Sequence, residues 1–186
     1  QNEASDGTFE MKLVVPEGDK LCVGSGQKPY DQAQGWINID INDRWSPDVV
    51  ADWNDLSMFA DNSMNWVVAE QTVEHVGCGD AQGFFKEAYR VLKPGGSLVF
   101  TVPDMKALAQ RWLLRLIDDY IFSVNMYGAY MDSEADRHKW NTSSEGWVVA
   151  LNKAADWGNV QVGIGVLPEG SQLARDWWIL EMGAVK

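Results

Sequence analysis

An α/β fold with a seven-stranded, mostly parallel sheet follows from three observations. Short apolar runs that read as strands alternate with segments of helical spacing. Glycine and proline clusters punctuate them, and the runs at residues 21–23, 36–39 and 49–51 end on a glycine turn, on Asp40 and on Asp52. Such alternation is the mark of strands joined by crossovers. At 186 residues the chain suits a single domain spanning residues 1–186, with a sizeable core.

The elements follow in order. Residues 1–10 are polar and expected to be disordered, and Met11 could be an original initiator ahead of the first strand. Leu21-Cys22-Val23 enters the Gly24-Ser25-Gly26 turn, and the next two runs form the second and third strands. Asp61-Asn62-Ser63 marks a turn before a fourth buried strand over residues 64–69. A helix is expected from Asp80 as N-cap, with Phe84, Ala88, Val91 and Leu92 at helical spacing. Lys93-Pro94-Gly95-Gly96 should stop it, because proline cannot continue a helix and glycine accepts positive φ. Residues 97–102 make a fifth strand.

Beyond Pro103-Asp104, apolar residues at 108, 112, 116 and 120 predict one helix over 105–122. Residues 123–139 are less regular, so 105–140 reads as a helical lid insertion over the site. Trp112, Met126 and Met131 in it are read as packing. Thr142-x-x-Glu145 matches a capping box opening a helix to about Ala155. Residues 160–166 and 177–185, around a Pro168-Glu169-Gly170 turn, predict a C-terminal antiparallel hairpin at the sheet edge.

Composition excludes several classes. A net charge of −12 without any basic run argues against nucleic acid as the main partner, since phosphate binding needs clustered Lys and Arg. No stretch reaches the length of a membrane-spanning helix, and no signal-peptide pattern is visible. Cys22 and Cys78 are too few for a disulfide framework, so free thiols and a cytoplasmic setting are expected. Ten tryptophans are many for this length and should fill the core or wall a pocket.

The candidate site lies at the ends of the first strands. Gly24 and Gly26, flanking Ser25, let backbone approach a ligand closely because no Cβ intervenes. Asp40, followed by Ile41, is placed to accept both hydroxyls of a ribose. Asp52 and Trp53, one strand further along, suit an adenine amino group and ring face. Glu70 and Gln71 end the fourth strand, within reach of an adenosyl group. A dinucleotide would ask for G-x-G-x-x-G, but Pro29 stands at the third glycine and Tyr30 follows. An adenosyl ligand without phosphates fits better. No metal ligands are assigned.

The motifs, taken in order, carry a resemblance. Leu21-Cys22-Val23-Gly24-Ser25-Gly26 matches an L-x-L-G-C-G turn, and Gly35-Trp36-Ile37-Asn38-Ile39-Asp40 matches G-W-x-N-x-D. Asp61 to Val68 looks like D-N-S-F-D-V-V, Val73-Glu74-His75-Val76 like L-E-H-hydrophobic, and Arg90 to Gly96 like R-V-L-K-P-G-G. Tyr127-Gly128 and His138-Lys139 are similar to a later Y-G…H-K pair. Together they resemble the class I S-adenosylmethionine-dependent methyltransferases, especially the small bacterial methyltransferase-domain type. Cys22 departs from the acid or Asn frequent there, Ser25 from a Cys and Asn65 from an Asp.

The resemblance implies a Rossmann-like sheet, S-adenosyl-L-methionine as cofactor, and SN2 methyl transfer to a small-molecule or saccharide acceptor. Cofactor-binding residues are then Gly24, Ser25, Gly26, Asp40, Ile41, Asp52, Trp53 and Glu70. His138 is the candidate catalytic base, whereas Glu74 and His75 are read as cofactor-side or structural. A degenerate, non-catalytic binding or scaffolding module on the same fold is the rival reading. A nucleotide-sugar or nicotinamide enzyme is a third, against which Pro29 argues.

Overall fold

In the computed structural model, which describes residues 15–27, 29–129, 136–163 and 179–186, the apolar runs assemble into one seven-stranded sheet of order β3-β2-β1-β4-β5-β7-β6. Strand β1 (Lys20–Val23) is hydrogen-bonded in parallel to β2 (Trp36–Asp40) on one side and to β4 (Met64–Glu70) on the other. β3 (Val49–Val50) is the parallel edge beyond β2. β5 (Leu92–Pro103) runs parallel to β4, and β7 (Ile179–Val185) and β6 (Asn159–Val162) complete the sheet antiparallel. The expected hairpin pairing is present; its turn at 168–170, Trp177, Met131 and residues 1–10 lie outside the described residues.

Alternation along the strands decides what each face packs against. Leu21, Val23, Ile37, Ile39, Val67, Ala69, Leu98 and Phe100 belong to the larger core. Phe84, Phe85 and Ala88 of helix α1 (Cys78–Val91) and Trp147, Ala150 and Leu151 of helix α4 (Ser144–Ala154) join them there. Burying each Leu, Ile, Val or Phe among them stabilises the fold by about 1.5–3 kcal/mol. Cys22, Trp36, Val68 and Val99 form a smaller cluster with Tyr30. Among the described residues no α-helix links β1 to β2; the connection carries one 3-10 turn (Gln32–Gln34).

Asn38 holds that loop. Its Oδ1 accepts from the Tyr30 amide at 2.7 Å, and its Nδ2 donates to the Tyr30 carbonyl and to Asp48, each at 2.9 Å. Asn38→Ala leaves buried backbone groups of Tyr30 unpaired, so a loss of about 1–3 kcal/mol is expected, read as a lower urea midpoint. An unchanged midpoint would remove Asn38 from this role. Arg90 likewise pins the chain before β4: it donates to Glu87, Asp61 and the Leu56 and Phe59 carbonyls at 2.7–2.9 Å.

Several expectations are corrected. The first helix begins at Cys78 with Gly77 as N-cap, and Asp80 falls in its first turn, where a carboxylate suits the helix dipole. Lys93-Pro94-Gly95-Gly96 does not stop the helix, which already ends at Val91. It lies within β5, where the register with β4 shifts from Met64↔Leu92 to Trp66↔Ser97. Gly95 at φ 81° supports that irregularity.

The single helix over 105–122 is in fact two. Helix α2 (Met105–Leu113) is capped by Asp104 and helix α3 (Asp119–Tyr127) by Asp118, with Arg115 at φ 56° between them. Of the periodic positions only Leu108 is buried; Leu116 is 63% and Tyr120 75% exposed, so no core enforces one continuous helix. The capping box also fails to form. Ser143 is the N-cap of α4, the Thr142 side chain packs where a Gly146 Cβ would stand, and Glu145 pairs with Lys106 at 3.5 Å.

Candidate active site

At β1 the connections of a parallel sheet leave in opposite directions, toward β2 and toward β4, and such a switch point opens a crevice at the carboxyl ends of the strands. A cleft of about 340 Å³ lies there, lined by Gly24, Gly26, Asp40, Ile41, Asp52 and Trp53. Six of the eight expected cofactor residues thus meet on one surface.

Glycine turn and carboxylate form a single unit. Gly24 and Gly26 take φ of 66° and 51°, and the Ser25 amide donates to the Ile39 carbonyl at 3.1 Å. Asp40 accepts from the Gly26 amide through one oxygen and from the Asn42 amide through the other, both at 2.8 Å. Each oxygen keeps a further lone pair for a ligand hydroxyl. Asp52 accepts from the Asn54 amide at 3.0 Å, and Trp53 lies edge-on to Phe84 with centroids 4.9 Å apart.

The remaining two stand behind this surface. Ser25 is buried and its hydroxyl has no hydrogen-bond partner. The Glu70 carboxylate accepts from the Tyr30 hydroxyl, and the Glu70 carbonyl accepts from Thr72 at 2.9 Å. Cys22 faces the smaller apolar cluster. Burial, with the Glu70 and Asp40 carboxylates adding to it, pushes its thiol well above the usual range, so it is a neutral packing group.

His138 lines a neighbouring cavity of about 350 Å³ together with His75, Arg44, Trp45 and Asp136. His75 borders both cavities. Burial, then the nearby His75, hold His138 down at about 4, so the ring is neutral at physiological pH. A base that weak removes a proton poorly. Beside it Glu74 is fully buried, and desolvation raises its carboxyl to about 8. Sequence reasoning missed Thr72, Asn42 and Lys139 as cleft residues; only Lys139 had a signal, through the Y-G…H-K pair. A larger cavity of about 780 Å³ between α2 and α3 receives no residue from the strand ends.

The chemistry of this surface is selective. Among the described residues the glycine turn leads into no α-helix before β2, so a pyrophosphate finds no helix N-terminus to rest on. Acceptor oxygens at Asp40, suited to paired ligand hydroxyls, and the Trp53 side chain are what the cleft offers instead.

Residues 29–100 match the family model of the methyltransferase domain. No curated protein matches the chain. A SAM-dependent methyltransferase from Archaeoglobus fulgidus is similar in structure, with a TM-score of 0.62 at 14% identity over 91% of this chain and 86% of that one. One from Methanosarcina mazei reaches 0.56 at 20% identity over 92% and 94%. Phosphoethanolamine N-methyltransferase 2 of Haemonchus contortus, in complex with S-adenosyl-L-methionine, reaches 0.55 at 14% identity over 93% of this chain and 49% of that one. The match to the methyltransferase domain thus covers residues 29–100, and the sheet order gives the chain the Rossmann-like fold of these SAM-dependent methyltransferases.

Proposed function

We propose that the chain binds S-adenosyl-L-methionine in the cleft at β1 and transfers its methyl group to a small-molecule or saccharide acceptor. The observation that carries this reading is the Asp40 carboxylate, fixed by the Gly26 and Asn42 amides with lone pairs still open to a ribose. Gly24, Gly26, Ile41, Asp52 and Trp53 complete the binding surface, while Ser25 and Glu70 act from behind it. The cofactor supplies a methyl group on a sulfonium, and the protein's own contribution is orientation of the acceptor. Helices α2 and α3, within the expected lid, belong to the acceptor side of the single domain, which the exposed apolar side chains Leu113, Leu116 and Tyr120 support.

The net charge of −12 supports a small acceptor over a nucleic acid. Among the described residues no helix is long and apolar enough to cross a membrane. Free Cys22 and Cys78 support a reducing, cytoplasmic setting.

A thermal-shift comparison tests the ligand. S-adenosylhomocysteine at about 100 times its Kd should stabilise by about 2.7 kcal/mol, with no shift from NAD or UDP-glucose. The reverse pattern would overturn the assignment. A second reading, a non-catalytic module on the same fold, is favoured by the weak basicity of His138. It predicts binding without transfer of label from methyl-labelled cofactor to any acceptor.

A further inference from the structure

Beside the cleft, Glu74, His75 and His138 each bring a ligand atom within 4.8 Å of the others. Glu74 is 0% exposed and its Oε2 has no hydrogen-bond partner. An isolated carboxylate removed from water is costly unless a cation or donor faces it. Gln71, in the amide orientation that satisfies both its ends, reaches only Oε1, at 3.3 Å.

The histidines meet the other requirements of a metal centre. His138 Nδ1 lies 2.9 Å from the Asn125 carbonyl, which can only accept, so Nδ1 carries the proton and Nε2 keeps its lone pair. Orienting a ligating imidazole through its second nitrogen is how metal-binding histidines are commonly held. The His75 ring stands at 78° to His138 with centroids 4.9 Å apart. Backbone bonds fix the arrangement: the Lys139 and Trp140 amides donate to the Glu74 carbonyl at 2.8 and 3.2 Å, and the His138 amide to Tyr127 at 3.0 Å. Gly128 has Asp136 backbone where a Cβ would stand, so the chain comes close enough to deliver His138.

We propose that Glu74, His75 and His138 form a three-ligand site for a divalent first-row transition cation such as Zn2+, with its open positions toward the cavity that His75 and His138 line. Two imidazoles and one carboxylate suit Zn2+, Co2+ or Fe2+, whereas Mg2+ and Ca2+ select oxygen donors. Ligands about 2.0–2.1 Å from a cation lie roughly 3–3.5 Å apart, so small side-chain rotations close the set. An oxygen of the methyl acceptor would complete the coordination, a role that rests on the transfer reaction proposed above; the site itself does not.

Titration of chelator-treated protein with Co2+, followed by visible absorption and calorimetry, tests the site without any assay of activity. One equivalent should bind, with ligand-field bands of a nitrogen- and oxygen-bound ion, be displaced by Zn2+ and be unaffected by excess Mg2+. Glu74→Gln and His138→Ala should each weaken binding at least about tenfold, while the exposed Glu145→Gln leaves it unchanged. No saturable Co2+ binding by the unaltered chain would overturn the proposal, whether or not the variants fold. Binding that survives both ligand substitutions would do the same. Failure here leaves S-adenosylhomocysteine binding unaffected, so the two readings fall separately.

Discussion

Asp40→Ala is expected to weaken S-adenosylhomocysteine binding by about 10- to 100-fold, or about 1–3 kcal/mol. Two effects add. The carboxylate that would accept the ribose hydroxyls is gone, and the Gly26 and Asn42 amides each lose the oxygen they donate to at 2.8 Å. The second effect loosens the turn that shapes the cleft, so the variant should also unfold at lower urea. Asp40→Asn separates them, because its one remaining oxygen can hold one amide but cannot replace the charge. Its stability should lie between those of the parent and Asp40→Ala, with affinity still reduced. Equal affinity for parent and Asp40→Ala would show that the ligand lies elsewhere.

Gly24→Ala should destabilise the fold by about 2–4 kcal/mol. At φ 66° a side chain is strained, and the added Cβ collides with the Thr72 hydroxyl and methyl. Thr72 cannot easily move, since its hydroxyl donates to the Glu70 carbonyl at 2.9 Å from a buried position at the end of β4. The two residues therefore couple across the switch point. Thr72→Ala in the Gly24→Ala background should relieve the collision but not the φ strain. A double-mutant cycle reads this as a coupling energy of about 1–2 kcal/mol. Additive losses would mean that the β1 turn and the β4 end are not in contact.

The inner strands were legible because buried parallel strands are short apolar runs bounded by turn residues. Leu21 to Val23, Trp36 to Asp40 and Met64 to Glu70 all meet that description. The glycine turn with Asp40 was legible for a related reason: positive φ at Gly24 and Gly26 leaves few residue choices. The break between α2 and α3 was not. Leu116 and Tyr120 keep a helical spacing while facing solvent, so periodicity recorded an amphipathic face with no core behind it. Nor could the chain order show that Glu74 and His138 meet, since that depends on backbone bonds from Lys139 and Trp140 to Glu74. Cys22, which departs from the acid or Asn expected there, became intelligible only once β1 placed it against Trp36, Tyr30 and Val68.

Calorimetric titration of S-adenosylhomocysteine into the purified chain addresses the cofactor directly. One saturable site per chain with Kd in the range of about 1–100 μM, lost or weakened at least about tenfold in Asp40→Ala, is the result expected. Absence of binding heat at several temperatures, with no thermal shift from the same ligand, would contradict the assignment of the β1 cleft to an adenosyl cofactor.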